Sequence, residues 1–177
     1  MDTTMGLTPL AGVPMGTRCG DVDPSIIPTV MKLYDIKPDD MLKILNKESG
    51  AYGVSSVSVD FRDIEAEAEI GGQHARLALD IFHDSVAAYI ANCMVAMQGA
   101  DVITFTAGVG ENSVPVRREI CEKLSTIGVK INLDENQKRS EFVKLSTEGS
   151  SVLVYVIPTN EELVIARDSY ELVRNGI

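Results

Sequence analysis

A chain of 177 residues with 45% apolar side chains can build a normal core, as one domain or two small ones. Its net charge of -10 comes from acids scattered through helical segments, which makes nucleic acid and anionic membrane poor partners. Three cysteines, Cys19, Cys93 and Cys121, lack C-x-x-C spacing, which argues against a disulfide framework or structural zinc and for a reducing cytoplasm.

Residues 1 to 23 are rich in Gly, Thr and Pro and read as extended segments and turns. Asp23 followed by Pro24 signals a helix start, with Ile26, Ile27, Val30 and Leu33 as its buried face. A second helix opens at Pro38, is lined by Met41, Leu42 and Leu45, and closes at Gly50 as a left-handed cap. After a serine-rich stretch, DFRD leads into a short acidic helix.

The longest helix runs from Gly72 to Gly99, with Leu79, Phe82, Val86, Tyr89, Cys93 and Met97 at three- and four-residue steps. Its second half is apolar nearly all round and reads as central or interfacial. Asn92 interrupts the most apolar stretch, which is too short to span a bilayer, and MDTTMGLTPL has no signal-peptide pattern. His74 and His83 have no metal spacing to Cys or acid and read as structural.

DVITFTAG is a β-rich run left through glycines, and SVPVRREICEKLSTIG is a helix closed by Gly128. GVKIN then reads as a strand, DENQKRSEF as a short polar helix, SVLVYVIPT as a strand and NEELVIARDSYELVRNG as the last helix. Strands alternating with helices indicate an α/β fold with a layered core.

The corner FTAGVGENSVPVR, residues 105 to 117, combines glycines with a helix start. Glycine permits close backbone approach and positive φ, while a helix start offers free N–H groups to an anion. Asn112 or Ser113 can cap that helix, Pro115 fits its first turn, and Arg117 can lie near the opening. A plain tight connection explains the same pattern. The segment is neither G-x-x-x-x-G-K-[ST] nor a complete G-x-G-x-x-G.

Taken with DTTMGLTPLAGVPMGTRCGDVDP at 2–24, DFRD at 60–63 and VIPTNEELVIARD at 156–168, FTAGVGEN resembles the acetate kinase family. The order matches that family's C-terminal half over essentially the whole chain. The resemblance implies an actin-like ATPase (ribonuclease H-like) domain, a mixed sheet flanked by helices. It also implies reversible phosphoryl transfer between ATP and acetate. On this reading residues 1–177 are the C-terminal nucleotide-binding domain, and the N-terminal domain is absent. That domain's metal Asn, carboxylate-binding Arg, Asp, His and HLGNG loop are missing. Met1 directly before DTTMG suggests an excised domain, inactive by itself.

The same resemblance assigns the residues. Arg18 faces the transferring phosphoryl group, where a guanidinium fork steadies spreading charge; otherwise it is a loop arginine paired with Asp21 or Asp23. Cys19 stands where many relatives are expected to have serine, and a tolerated small replacement is the favoured account. Pro9 lines the pocket for the methyl group of a short-chain carboxylate. Asp60, Phe61 and Arg62 flank adenosine, the alternative being a helix start capped by Asp60 or Asp63. Gly108, Val109, Gly110, Glu111 and Asn112 form the loop for nucleoside and phosphate. With Thr159 as N-cap, Glu162 completes a capping box and frees Glu161 to hold Mg²⁺ through water. A homodimer binding ATP or ADP is implied. The alternatives are a propionate kinase, or a non-catalytic nucleotide-binding or dimerisation module.

Overall fold

The computed structural model describes residues 3–140 and 142–176, so Met1, Asp2 of the first motif and Glu141 of the expected polar helix lie outside it. The chain forms two compact units, Met1–Ala100 with Glu119–Gly128, and Asp101–Arg118 with Val129–Ile177.

The first unit is helical. After the irregular segment ending near Pro24 come α1 (Ile26–Tyr34), α2 (Pro38–Lys47), α3 (Gly50–Ser55), α4 (Phe61–Glu69) and α5 (Gln73–Ala96). The second half of α7 (Val114–Lys123) and a 3₁₀ turn (Leu124–Ile127) complete it. Gly128 ends that turn with φ +90°, as its place after the helix predicts. The core holds Met41, Ala51, Ile64, Ala75, Ala78, Leu79, Ile120 and Leu124. Alanines on α5 let α3 and α4 pack closely against it.

Three expectations need correction here. Asp23 and Pro24 precede α1 without entering it: the Asp23 carboxylate accepts from the Ser25 N–H at 2.9 Å and hydroxyl at 2.8 Å. No residue of α1 is buried, and Leu33 is 70% exposed. Gly50 does adopt positive φ, at +62°, but it opens α3 instead of closing α2. The buried face of α5 runs through Ala75, Ala78, Leu79, His83 and Ala87, so the anticipated seam through Tyr89, Cys93 and Met97 is not core. Beyond Ala87 no residue of α5 is buried.

The second unit is built on a three-stranded sheet, order β1-β3-β2. β1 (Val102–Phe105) runs parallel to β3 (Leu153–Val156), and β2 (Val143–Lys144) pairs antiparallel on the other side. Val154 and Val156 alternate into the core from β3, joined by Phe105, Val116, Val129, Val143 and Leu145. GVKIN does not form a strand: it contributes one bridge, Ile131 to Ser146. Asn132 keeps a backbone bond to Leu145 O at 2.8 Å while its side chain caps α8 (Leu133–Asn136), Oδ1 accepting from the amides of Asp134 and Glu135 at 2.8 and 3.2 Å. The missed strand, β2, is only two residues long and carries no alternation to read. α6 (Ala107–Asn112) follows β1, and α9 (Glu161–Arg174), without a single buried residue, follows β3.

Candidate functional site

The segment carrying Arg18 is fixed by its backbone. Residues 15–19 bond to the α2–α3 corner: Cys19 N–H to Leu45 O at 2.9 Å, Ser49 N–H to Thr17 O at 3.0 Å, Ala51 N–H to Met15 O at 2.9 Å and Tyr52 N–H to Gly16 O at 2.8 Å. The Thr17 hydroxyl adds a bond to Asn46 O at 2.9 Å. Gly50 makes the approach feasible, since a Cβ there would sit 2.2 Å from Met15 O and 2.6 Å from Arg18 O.

The guanidinium of Arg18 contrasts with this rigid support. It forms no ion pair with any described residue, and its Nη1 meets only the Met15 sulfur at 3.5 Å. The acids that might have neutralised it are engaged elsewhere. Asp21 accepts from the Gly12 N–H at 2.8 Å and from the Tyr89 hydroxyl, which hold its carboxyl below the usual range, the tyrosine most strongly. Asp23 is held low by Ser25. Beside Arg18, burial raises the Cys19 thiol, which disfavours a reactive thiolate. A cavity of about 330 Å³ is lined by Pro14, Cys19, Ile81 and Phe82, but by none of the anticipated site residues. Pro9 is exposed.

At the start of α4 the three DFR residues do different jobs. Asp60 is the N-cap, accepting from the Arg62 N–H at 2.9 Å, and its carboxylate also binds the Arg62 side chain, Nε at 3.0 Å and Nη2 at 2.5 Å. These bonds lower the Asp60 carboxyl to about 2. Phe61 is 9% exposed and its ring lies 4.7 Å from that of Phe82, so it is a core residue and not a free face for adenine. Arg62 remains exposed.

In the second unit the glycine corner is helical. Gly108 and Gly110 lie within α6, and the residue with positive φ is Ala107, at +59°. The glycines therefore do not serve a left-handed turn. A Cβ on Gly108 would meet nothing within 4 Å, whereas one on Gly110 would touch Phe105 at 3.4 Å. Asn112 donates to Gly108 O at 2.8 Å. Ser113 caps α7, its hydroxyl accepting from the Val116 N–H at 3.1 Å.

Arg117 is not at an opening. It is 2% exposed, and its guanidinium donates to Gly110 O at 3.0 Å, Glu111 O at 2.8 Å, and the Asn136 side chain and backbone carbonyls at 2.7 and 2.8 Å. Asn136 in turn donates to Val114 O at 3.0 Å. The last carbonyls of α6 thus end on a buried cation, the arrangement that suits a helix C-terminus. Sequence reading missed Asn136; a lone amide in a polar stretch carries no periodic signal.

The start of α9 also departs from expectation. Asn160 is the N-cap, its Oδ1 accepting from the Leu163 N–H at 3.0 Å, so Glu161 and Glu162 are the first two helical residues and no capping box forms. Thr159 bonds instead to Glu111, whose Oε1 accepts from the Thr159 N–H at 2.9 Å, the Thr159 hydroxyl at 3.2 Å and the Ala107 N–H at 2.6 Å. Those donors, the Thr159 amide foremost, depress the Glu111 carboxyl. Glu161 is exposed. No cluster of three or more His, Cys, Asp or Glu suited to a metal exists among the described residues. A single exposed carboxylate fits an ion such as Mg²⁺ that keeps most of its water and leans on phosphate oxygens. No helix among the described residues is long and apolar enough to cross a membrane.

The comparisons with known proteins agree with one another. The model of the acetokinase family matches residues 1–167. Acetate kinase of Clostridium novyi is 50% identical over 176 residues, 99% of this chain and 44% of that protein. Acetate kinase of Treponema denticola is 48% identical over 98% of this chain and 44% of its own length. Among solved structures, Porphyromonas gingivalis acetate kinase superposes with a TM-score of 0.90 at 36% identity, covering 96% of this chain and 43% of that one. A propionate kinase from Francisella tularensis gives 0.88 at 37%, covering 94% and 42%. The α/β fold is therefore shared with these enzymes, and the chain spans less than half the length of the relatives it matches.

Proposed function

Because this chain belongs to the acetokinase family, we propose that it supplies the nucleotide-binding half of an acetate kinase. The reaction is ATP plus acetate giving ADP plus acetyl phosphate. The observation that carries this reading is identity of 48–50% to acetate kinases over 98–99% of the chain. In the proposed step an acetate oxygen forms a bond to the γ-phosphorus while the bond to the β–γ bridging oxygen breaks. ADP then leaves with the electron pair.

Arg18 stabilises charge on the equatorial oxygens in that step. Its support is a backbone bonded to the α2–α3 corner and a guanidinium with no ion pair to any described residue, a donor free to meet charge as it develops. The space above Gly108 lets the nucleotide approach the first turn of α6. Glu161 is the carboxylate of this half that holds a hydrated Mg²⁺. When bound, the ion neutralises phosphate charge.

The experiment is a chimera in which these 177 residues replace the matching segment of the Treponema denticola enzyme. Acetyl phosphate formation by the chimera and none by the chain alone is the expected result; an inert but folded chimera contradicts the proposal. Relative turnover of acetate and propionate decides between the two substrates, because one methylene changes binding by only about 1–3 kcal/mol.

A further inference from the structure

Glu111 was expected to touch nucleotide, yet its carboxylate faces the protein. A single oxygen, Oε1, gathers three donors from two distant stretches: the Ala107 amide at the head of α6, and the amide and hydroxyl of Thr159, 48 residues beyond Glu111 in sequence. Thr159 directly precedes Asn160, the N-cap of α9, and Glu161, its first residue. Two further bonds constrain the same stretches. Ile157 N–H donates to Phe105 O at 3.0 Å, so β3 and β1 leave the sheet in register just before the tie. At the far end of α6, Arg117 grips the Gly110 and Glu111 carbonyls.

We propose that Glu111 is a positioning residue that couples occupancy of the Gly108–Asn112 segment to the start of α9, where Glu161 stands. This rests on the nucleotide reading above. Ala107 is held at φ +59°, a conformation costly for a residue with a Cβ, and the 2.6 Å bond from its amide to Glu111 compensates for part of that cost. A ligand that settles on the first turn of α6 immobilises Ala107, and through the shared oxygen it immobilises Thr159. A charged oxygen with three donors is a stronger link than a neutral one. Glu111→Gln keeps the shape and one acceptor, and should retain only part of the coupling.

Amide hydrogen exchange on the 177-residue chain, with and without ADP, tests this. In the wild type, ADP slows exchange at Ala107 and Thr159 together. In Glu111→Ala, resting exchange at both amides rises at least about tenfold, the amount expected when about 1.4 kcal/mol of local protection is lost, and ADP no longer slows Thr159. Val154 in the core serves as the folding control, and Thr159→Val, which removes only the hydroxyl, gives a smaller rise. Unchanged resting rates at Thr159 in Glu111→Ala overturn the tie. Protection of Ala107 but not Thr159 by ADP in the wild type overturns the coupling while leaving the nucleotide reading intact. No response to ADP anywhere overturns the nucleotide reading and the coupling with it.

Discussion

The Arg18 segment and the Gly108–Asn112 segment are built on opposite plans. Around Arg18 the main chain is pinned to the α2–α3 corner and the charged side chain has no counter-ion among the described residues. Around Gly108 the side chains do the pinning: Glu111, Asn112 and Arg117 all bond to backbone, while the main chain beside Gly108 stays open. A group meant to meet developing charge must keep its donors free, whereas a surface meant to accept a ligand must keep its contour. The difference teaches that a charged residue inside a signature motif need not contact the ligand.

The largest expected effect separates the two plans. Arg18→Ala in a complete enzyme carrying this half should lower turnover by roughly 10²–10³-fold with little change in ATP affinity, as for loss of one charge-stabilising donor. Its thermal midpoint should hardly move, because the segment is fixed by backbone. Unchanged turnover removes Arg18 from the catalytic set.

Arg117→Leu attacks the other plan. It strands the Gly110 and Glu111 carbonyls and the Asn136 amide group, at a cost of roughly 3–5 kcal/mol in urea unfolding. A loss below about 1 kcal/mol would show that α6 is not held from its C-terminal end. Asn160→Ala removes the cap of α9 and should cost about 1 kcal/mol, read in the same assay, whereas Thr159→Ala would cost more if Thr159 were the cap.

The smallest effect is a change with pH. His83 is buried, and neither ring nitrogen has a hydrogen-bond partner among the described residues. Burial pushes its pKa below the ordinary 6.5, outweighing the opposing pull of Glu119. Below 6.5 the unfolded chain therefore binds a proton that the folded chain refuses, and stability falls as pH drops through that window. His83→Leu should flatten the slope of thermal midpoint against pH between about 7 and 5 and leave stability at pH 7 equal or higher. An unaltered slope would show that His83 finds a partner for its proton. Asp60 acts lower: with its folded value at about 2 and 3.8 as its ordinary one, its contribution is intact above 3.8 and disappears as pH falls to about 2.

Periodicity made α2, α5, α7, β3 and α9 legible, because each runs long enough to show its stripe or is bounded by Pro, Gly or Asx. One miss comes from two neighbouring polar residues competing for one cap. Thr159 and Asn160 are both able N-caps, and only the Glu111 carboxylate, 48 residues away in sequence, draws Thr159 off. Asn132, read as the end of a strand, has a side chain that caps α8 while its own N–H bonds to Leu145 O. Phe61 could not be judged from its motif, since only the packing of Phe82 shows it to be core. The motifs thus revealed the family and the segments that matter, while long-range hydrogen bonds decided which side chains in them remain free.

One substitution tests the central claim most directly. Gly108 can accept a Cβ without a clash, because one there meets nothing within 4 Å and its φ is not left-handed. In calorimetric titration of ADP into the chain, Gly108→Leu should abolish binding seen in the wild type while the thermal midpoint stays the same. Undiminished ADP affinity in Gly108→Leu would contradict the placement of nucleotide on α6.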